Sequence, residues 1–556
     1  MFRHLVAMAL ALGAMTGRGF GQNLMYQLYG VDGDVNAIDI KGNTAYIAGY
    51  FRHVGFSSGQ TAMIDSASGN PVVNFPRGDG AGDQIFATLQ DGNGGWFLGG
   101  IFLTCGGHPL TNFAHIRADQ SVDTSLNLQL DGSVKAIALS GDTLYIGGEF
   151  TSVKGQTRNH CASVLVSTVQ VTSWDPSPNG TVTAVLPAGD SVYIAGGFTQ
   201  VGPTGHTVTR LGLASVRQIS GFPGSWSPGL AVYNLPNTKI PGLMQMNGVI
   251  YVAGDFASSG GTPRDGLAAF SASTGALTPW NPGSQITALA GKRYFSIAGS
   301  GNKIYIAGSF NAFNGITRND VLAVDTAGQL LPWNPNADNV VESISLDGRT
   351  MYLGGVFVNV GGTPHPYAAA VDTDGTVRSW SPLPDFEVTS LSARNGRVVL
   401  GGQFTWIDYT PRVNAAAFDL TTGKPTSWNP APDSPVHALK VAGANIALGG
   451  EFAHVGGAPR IHIAFVDDTL GNSVIPIPDP GALVYSLGVL NGTLYVGGGF
   501  TSHGTSPRNY LEAINIADGT LTNWAPYANE LVSTIAIQGS NVYIACTTPP
   551  CIWPST

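Results

Sequence analysis

YIGGEFTSVKGQTRN, Tyr145 to Asn159, sets two glycines ahead of a phenylalanine and an arginine eight residues beyond it. The outline returns as YVAGDFASSGGTPRD from Tyr251 and as YVGGGFTSHGTSPRN from Tyr495. Aligned on the phenylalanine, copies fall at Phe51, Phe102, Phe150, Phe198, Phe256, Phe310, Phe357, Phe404, Phe452 and Phe500, at intervals of 47 to 58 residues. A period of that length means a repeat architecture. An eleventh copy opens at LVSTIAIQGSNVYIA, and the sequence stops before its phenylalanine, so ten whole repeats and a fragment are present.

Each repeat has four beats. In VKAIALSGDTLYIGGEF an alternating apolar run reaches Leu139, a Gly-Asp turn follows, and a second run leads to Phe150, which reads as a β-hairpin. Elsewhere the turn is Asn247-Gly248, Asn395-Gly396 or Asn491-Gly492, residues that tolerate the positive φ a tight hairpin demands. The other half shows in LAAFSASTGALTPWNP, Leu267 to Pro282, where a third strand turns at Thr274-Gly275 into a fourth ending in Trp280-Asn281-Pro282. Proline stops that strand because it has no N–H to give a ladder.

Four short strands in about 48 residues, with no helical period, make one blade of a β-propeller. The expected fold is all-β: about ten four-stranded blades and a partial one, in one large wheel or two tandem propellers. The longer intervals place a possible seam within 203–293. The strand-like LMYQLYG from Leu24 is a candidate to complete the last blade, unless the chain is a piece of a longer array. The glycine pair implies a close neighbour, for which the recurring tryptophans Trp174, Trp226, Trp280, Trp333, Trp380, Trp428 and Trp524 are the candidates. Repeats one, two and nine lack that tryptophan.

The double glycine closing strand two, Asp or Ser before a Thr-Gly turn, and tryptophan in strand four together resemble the kelch propeller pattern. The sequence is more similar to the bacterial delta-60-type propeller repeat, over roughly Val35 to Ala545. The resemblance implies the fold and says almost nothing of function, because propellers host binding, scaffolding and catalysis alike.

Composition bounds the partners. Charged residues are 11% of the chain and the net charge is −9, which argues against nucleic acid or an anionic membrane as the main partner. Arg3 and His4, the apolar stretch Leu5 to Met15, and Gly19-Phe20-Gly21 read as a secretory signal peptide over residues 1–21, leaving 22–556 as the repeat array. No later apolar run is long enough to span a membrane. Four cysteines do not build a fold of this length. Cys546 and Cys551 are close enough in sequence to bridge in an oxidising compartment, and Cys105 and Cys161 lie about one repeat apart, placed to staple neighbouring modules or to stay buried and free.

The repeated arginines Arg158, Arg264, Arg318, Arg412, Arg460 and Arg508 form a candidate ligand-binding ring for an anionic glycan or carboxylate. Their regularity points more strongly to architecture, since every blade needs framework and a site needs only two or three groups. Glu149, Asp255 and Glu451 share one repeat position, but paired glycosidase carboxylates must stand 5 to 10 Å apart and these come from different blades. GFSSG, Gly55 to Gly59, matches G-x-S-x-G without the helix a nucleophile elbow needs. His53, His437, His454 and His462 lack metal-ligand spacing, and Asp372 and Asp374 read as a turn. No catalytic set, cofactor motif or metal site is expected.

These readings lead to an exported, surface-displayed scaffold that binds proteins or glycans without catalysis. The alternatives are an extracellular propeller enzyme with a site assembled from several blades, and a structural module of a larger adhesin or appendage.

Overall fold

The computed structural model describes residues 29–546 apart from 73–74, 80–83, 234–238, 288–292, 420–423, 504–505 and 539–540. The proposed signal peptide, the segment at Leu24 and Cys551 lie outside them. The chain is all-β, with a single short 3-10 turn at Pro282–Gln285 among the described residues. It divides into two compact units, one of residues 58–408 and the other of the chain up to Ser57 together with the chain from Tyr409 onward. Residues 203–293, where the longer intervals fall, lie wholly inside the 58–408 unit.

Among the described residues the 58–408 unit contains, beside several smaller sheets, seven larger antiparallel sheets, A to G, whose first strands are Gln84–Gln90, Val134–Ser140, Val182–Ala188, Gly242–Met246, Arg293–Ser300, Val341–Asp347 and Val388–Arg394. Each first strand forms a hairpin with the second, and the third pairs with the second. The first strands are neighbours in sequence order from A to G, and that of G lies beside that of A. Sheet G takes its third strand, Thr61–Asp65, from the other end of the unit, in the register Arg397↔Asp65 to Gly401↔Thr61.

Among the described residues the other unit contains, beside smaller sheets, four that follow the same plan, H to K, with first strands Asp34–Lys41, Val436–Ala442, Val484–Leu490 and Val532–Gln538. The third strand of H is Ala415–Asp419. By the repeat, Thr61–Asp65 follows the hairpin of H and Ala415–Asp419 follows that of G, so the two hairpins have exchanged third strands. Tyr29–Val31 pairs with His53–Ser57 rather than with the last sheet.

The expected fourth strand is mostly reduced to one bridge, such as Phe270↔Leu277 or Val371↔Val377. Among the described residues only B and I carry a four-strand ladder. The Trp-x-Pro ending and prolines such as Pro71 and Pro223 deprive the outer segment of the donors a longer ladder requires.

The glycine pair is explained differently from the expectation. A Cβ on Gly147 would stand 2.5 Å from Cγ1 of Val182, the first residue of the next sheet, and Gly99, Gly354 and Gly401 meet Val134, Val388 and Ile85 in the same way. The neighbour is therefore a β-branched aliphatic and not an aromatic. A Cβ on the second glycine, Gly148, would fall on the Ser133 carbonyl oxygen of its own sheet. The tryptophans instead join sheets through their edges. Trp174 meets Tyr145 edge-on with ring centroids 5.1 Å apart, and its indole N–H donates to the carbonyl of Arg217, the last residue of the next sheet's third strand, at 3.0 Å. Trp280, Trp333 and Trp380 repeat this bond to Asp325, Asp372 and Asp65. Where tryptophan is missing, Phe75, Leu126 and Ile477 are buried in the corresponding cores.

Short hydroxyl side chains link neighbouring first strands. Ser343 and Ser345 accept the N–H groups of Leu391 and Ala393, 48 residues on, at 3.0 Å each. Cys105 and Cys161 are both buried, and neither is in a disulfide. The expected staple between them is absent because they belong to different inter-sheet cores, with a third core between. Cys546 is in a disulfide.

Candidate functional site

Ten of the eleven first strands carry the same irregularity near their start. In sheet B the register runs Val134↔Gly148 and then Ala136↔Gly147, so Lys135 is an extra, bulged residue. The second glycine permits this, because only a residue without a Cβ lets the two backbones approach so closely there. A bulge re-aims a side chain out of the ladder. The bulged residues in the 58–408 unit are Phe86, Lys135, Thr183, Phe295, Glu342 and Thr389. Sheet D has no bulge, and Pro241 precedes its first strand. In the other unit they are Asn36, His437, Tyr485 and Ser533. The residue before the bulge is valine or isoleucine in every bulged sheet but E, where it is Tyr294, and the residue after it is small, while the bulged position changes chemistry from sheet to sheet.

All bulges lie at the starts of neighbouring first strands, so in the 58–408 unit they form a mouth at one end of the sheet ring. Its side chains touch across sheets. The Lys135 ammonium sits 3.4 Å from the centroid of Phe86 in sheet A, a cation–π contact, and 3.8 Å from the Glu149 carboxylate. Glu149 also accepts the Ser133 hydroxyl at 2.7 Å. Thr389 donates to the carbonyl of Ile85 at 2.7 Å.

Two further charges stand two residues before the bulge position, Lys239 in sheet D and Glu387 in sheet G. Burial, and then the Glu387 charge, push the Glu342 carboxyl up to about 7, against the opposing pull of Lys239. Burial also raises Glu387. Lys135 is lowered by burial and by Lys239, with Glu149 opposing. The mouth thus gathers two cations and three carboxylates from sheets B, D, F and G, beside an aromatic ring from A.

Among the residues singled out from sequence, Glu149 takes part in this mouth. Asp255 accepts the Lys239 N–H at 3.3 Å. In the other unit Glu451 bonds His437 at 2.9 Å, whose ring stacks on Tyr485. The three acids do not form a catalytic pair: each serves its own sheet's bulge region. The repeated arginines lie elsewhere, holding loop carbonyls. Arg158 donates to Thr157 and Thr172, Arg264 to Pro263 and Thr278, and Arg412 to Pro411 and Thr426. Arg508 repeats the pair on Pro507 and Thr522, Arg318 reaches Thr317 and Leu331, and Arg460 reaches Pro459.

His53, His454 and His462 are each bonded to one aspartate, Asp32, Asp433 and Asp479. Among the described residues no group of three His, Cys, Asp or Glu side chains could hold a metal ion. Ser57 of GFSSG ends a strand, and Asp372 pairs with Arg378 in a turn. Sequence reasoning missed the bulge positions. Their signal is the one variable residue between a mostly valine position and a small residue, and it emerges only when the first strands are aligned to each other.

No protein-family model matches the chain, and no curated protein is similar to it. Among solved structures it is similar to the extracellular domain of a putative one-component system from B. thetaiotaomicron, with 14% identity over 94% of this chain and 71% of that one and a TM-score of 0.32. It is also similar to the WD40 β-propeller domain of Doa1, with 10% identity over 69% and 95% and a TM-score of 0.30. The computationally designed Ika8 protein gives 11% identity over 75% and 94% and a TM-score of 0.28. Likenesses this distant assign no function to the chain.

Proposed function

We propose that the 58–408 unit is a closed seven-bladed β-propeller of the delta-60 and kelch-like kind, and that its charged mouth is the recognition surface of an exported, surface-displayed binding protein. The ligand is a polypeptide segment that carries both charge signs. One observation carries this reading: a constant framework presents a variable residue from nearly every sheet to the same mouth. Invariant scaffold with variable, convergent side chains is how a fold hosts recognition. Glu342 and Glu387 suit a lysine or arginine, Lys135 and Lys239 suit a carboxylate, and Phe86 offers apolar area between them. No helix among the described residues is long and apolar enough to cross a membrane.

The test is selection of displayed random dodecapeptides on the immobilised chain, followed by titration of the selected peptides against variants. Peptides that lose affinity tenfold or more with Lys135→Ala and Glu387→Ala, and keep it with Arg264→Ala, support the mouth. Peptides that bind both mouth variants as tightly as the parent refute it.

The raised Glu342 carboxyl beside Glu387 favours a second reading, an extracellular hydrolase using the pair as acid and base. Turnover of chromogenic glycosides or esters that is abolished by Glu342→Gln supports that reading, and no turnover removes it.

A further inference from the structure

The seven-sheet ring is nearly periodic, and one inter-sheet junction breaks the period. Trp174, Trp280, Trp333 and Trp380 are 1 to 4% exposed and donate to the last residue of the neighbouring third strand. Trp226 of sheet C is partly exposed and donates instead to the carbonyl of Gly275, four residues past Ser271 where the third strand of sheet D ends. Beside it opens a cavity of about 710 Å³, lined by Tyr193, Trp226, Ser215, Gln218, Ser225 and Thr274 among others.

The cause is readable in the outer segment of sheet C. In sheet B the residue two before the tryptophan is Thr172, whose hydroxyl bonds Ser163 of the third strand at 2.5 Å and fills the space between. The corresponding pair in sheet C is Gly224 and Ser215, joined by the equivalent backbone bond from the Gly224 N–H to the Ser215 carbonyl at 2.8 Å. Gly224 has no side chain to cover Ser215. Ser215 is 6% exposed, and its hydroxyl has no hydrogen-bond partner among the described residues. Arg210 makes the recurring bond through Nη2 to the carbonyl of Gly224 at 2.9 Å and, unlike its counterparts, donates through Nε to the carbonyl of Trp226 at 3.0 Å. The second position also differs. Asp142 of sheet B receives the N–H and hydroxyl of Ser167, whereas Asp190 faces the place taken by Ile219, which is 89% exposed and has no hydroxyl to give.

We propose that this cavity is a binding site for a neutral saccharide. Its volume lies in the range of small-ligand sites. Indole and phenol rings supply apolar walls for the C–H faces of a sugar, and several hydroxyls and the Gln218 amide supply uncharged hydrogen-bonding groups. The two charged residues of the lining, Asp190 and Arg217, are exposed and of opposite sign, which gives no net preference for an anion or a cation. The site is separate from the charged mouth and does not depend on the reading given for it.

The test is isothermal titration calorimetry of the full chain with neutral gluco-, galacto- and manno-oligosaccharides of two to four rings. The expected result is saturable binding of at least one series, weakened tenfold or more by Gly224→Thr, which restores the side chain found at Thr172, and by Gln218→Ala. Should Gly224→Thr fail to fold, Gln218→Ala and Ser215→Ala decide. Absence of binding to every oligosaccharide, or binding that survives these variants, overturns the proposal.

Discussion

The indole N–H of Trp380 donates to the carbonyl oxygen of Asp65 at 3.0 Å, across 315 residues of sequence. It is the same bond that Trp174 makes to Arg217 across 43 residues. At Trp380 it joins sheet F to the strand that completes sheet G, and so links the end of the 58–408 unit to its beginning. A local device found in most of the tryptophan-bearing repeats thereby joins residues distant in sequence at one place.

Replacing Trp380 with Phe removes that bond and part of a buried ring. The expected cost is about 2 to 3 kcal/mol, combining roughly 1 kcal/mol for the hydrogen bond with a cavity term. Urea unfolding of Trp380→Phe against the parent measures it, and an unchanged midpoint would show that the bond contributes nothing.

The two glycines of a pair predict unequal penalties. A Cβ on Gly147 meets a side chain, Val182, which has some freedom to move. One on Gly148 meets the Ser133 backbone at the bulge, which has none. Gly148→Ala should lose more than about 3 kcal/mol and Gly147→Ala less, in line with overpacking costs of 1 to 3 kcal/mol. Equal losses in thermal unfolding would contradict the distinct roles.

Glu342 sets a pH dependence of known sign. Its folded pKa is raised to about 7 from 4.5, so the folded state holds the proton more tightly than the unfolded chain. The stability it contributes is full below pH 4.5 and is lost as pH rises toward 7, amounting to a few kcal/mol at most. Glu342→Gln should remove that slope, seen as a flatter curve of unfolding free energy between those values. An identical slope in both proteins would place the titration elsewhere.

Asp131 works in the opposite direction. Burial alone would raise its carboxyl, but the Thr151 hydroxyl and the N–H groups of Thr151 and Ser152 outweigh burial and leave it depressed. Its stabilisation is present above the unfolded value of 3.8 and is lost as pH falls through the folded value. Asp32, Asp338 and Asp433 occupy the same loop position and bond the backbone 20 and 21 residues on. Asp131→Ala should cost about 1 to 2 kcal/mol at pH 7 and less in acid. A cost that stays constant down to pH 2 would reject the cap.

Arg264→Ala should act on stability rather than on binding. It leaves the carbonyls of Pro263 and Thr278 without their charged donor, at a cost of about 1 to 3 kcal/mol. Denaturant unfolding reads the loss. A variant as stable as the parent that has lost a ligand would restore the arginines as a recognition surface.

By itself the sequence determined the repeat, its strands and its turns. Asn247-Gly248, Asn395-Gly396 and Asn491-Gly492 have the positive φ that their identities implied, and alternating apolar runs became hairpins in one register. This was legible because period, alternation and turn chemistry are local, and each repeat states them again. The tertiary structure alone decided which third strand completes which hairpin. Thr61–Asp65 and Ala415–Asp419 both end in aspartate and offer small and apolar residues in the same register. Nothing local distinguishes them; the pairing is decided by which hairpin each strand reaches in the folded chain. The same holds for the mouth: Lys135, Lys239, Glu342 and Glu387 are far apart in sequence. They come together because the sheets bring the starts of their first strands to a common end, where Lys135 and Glu342 are bulged residues and Lys239 and Glu387 stand just ahead of the strand.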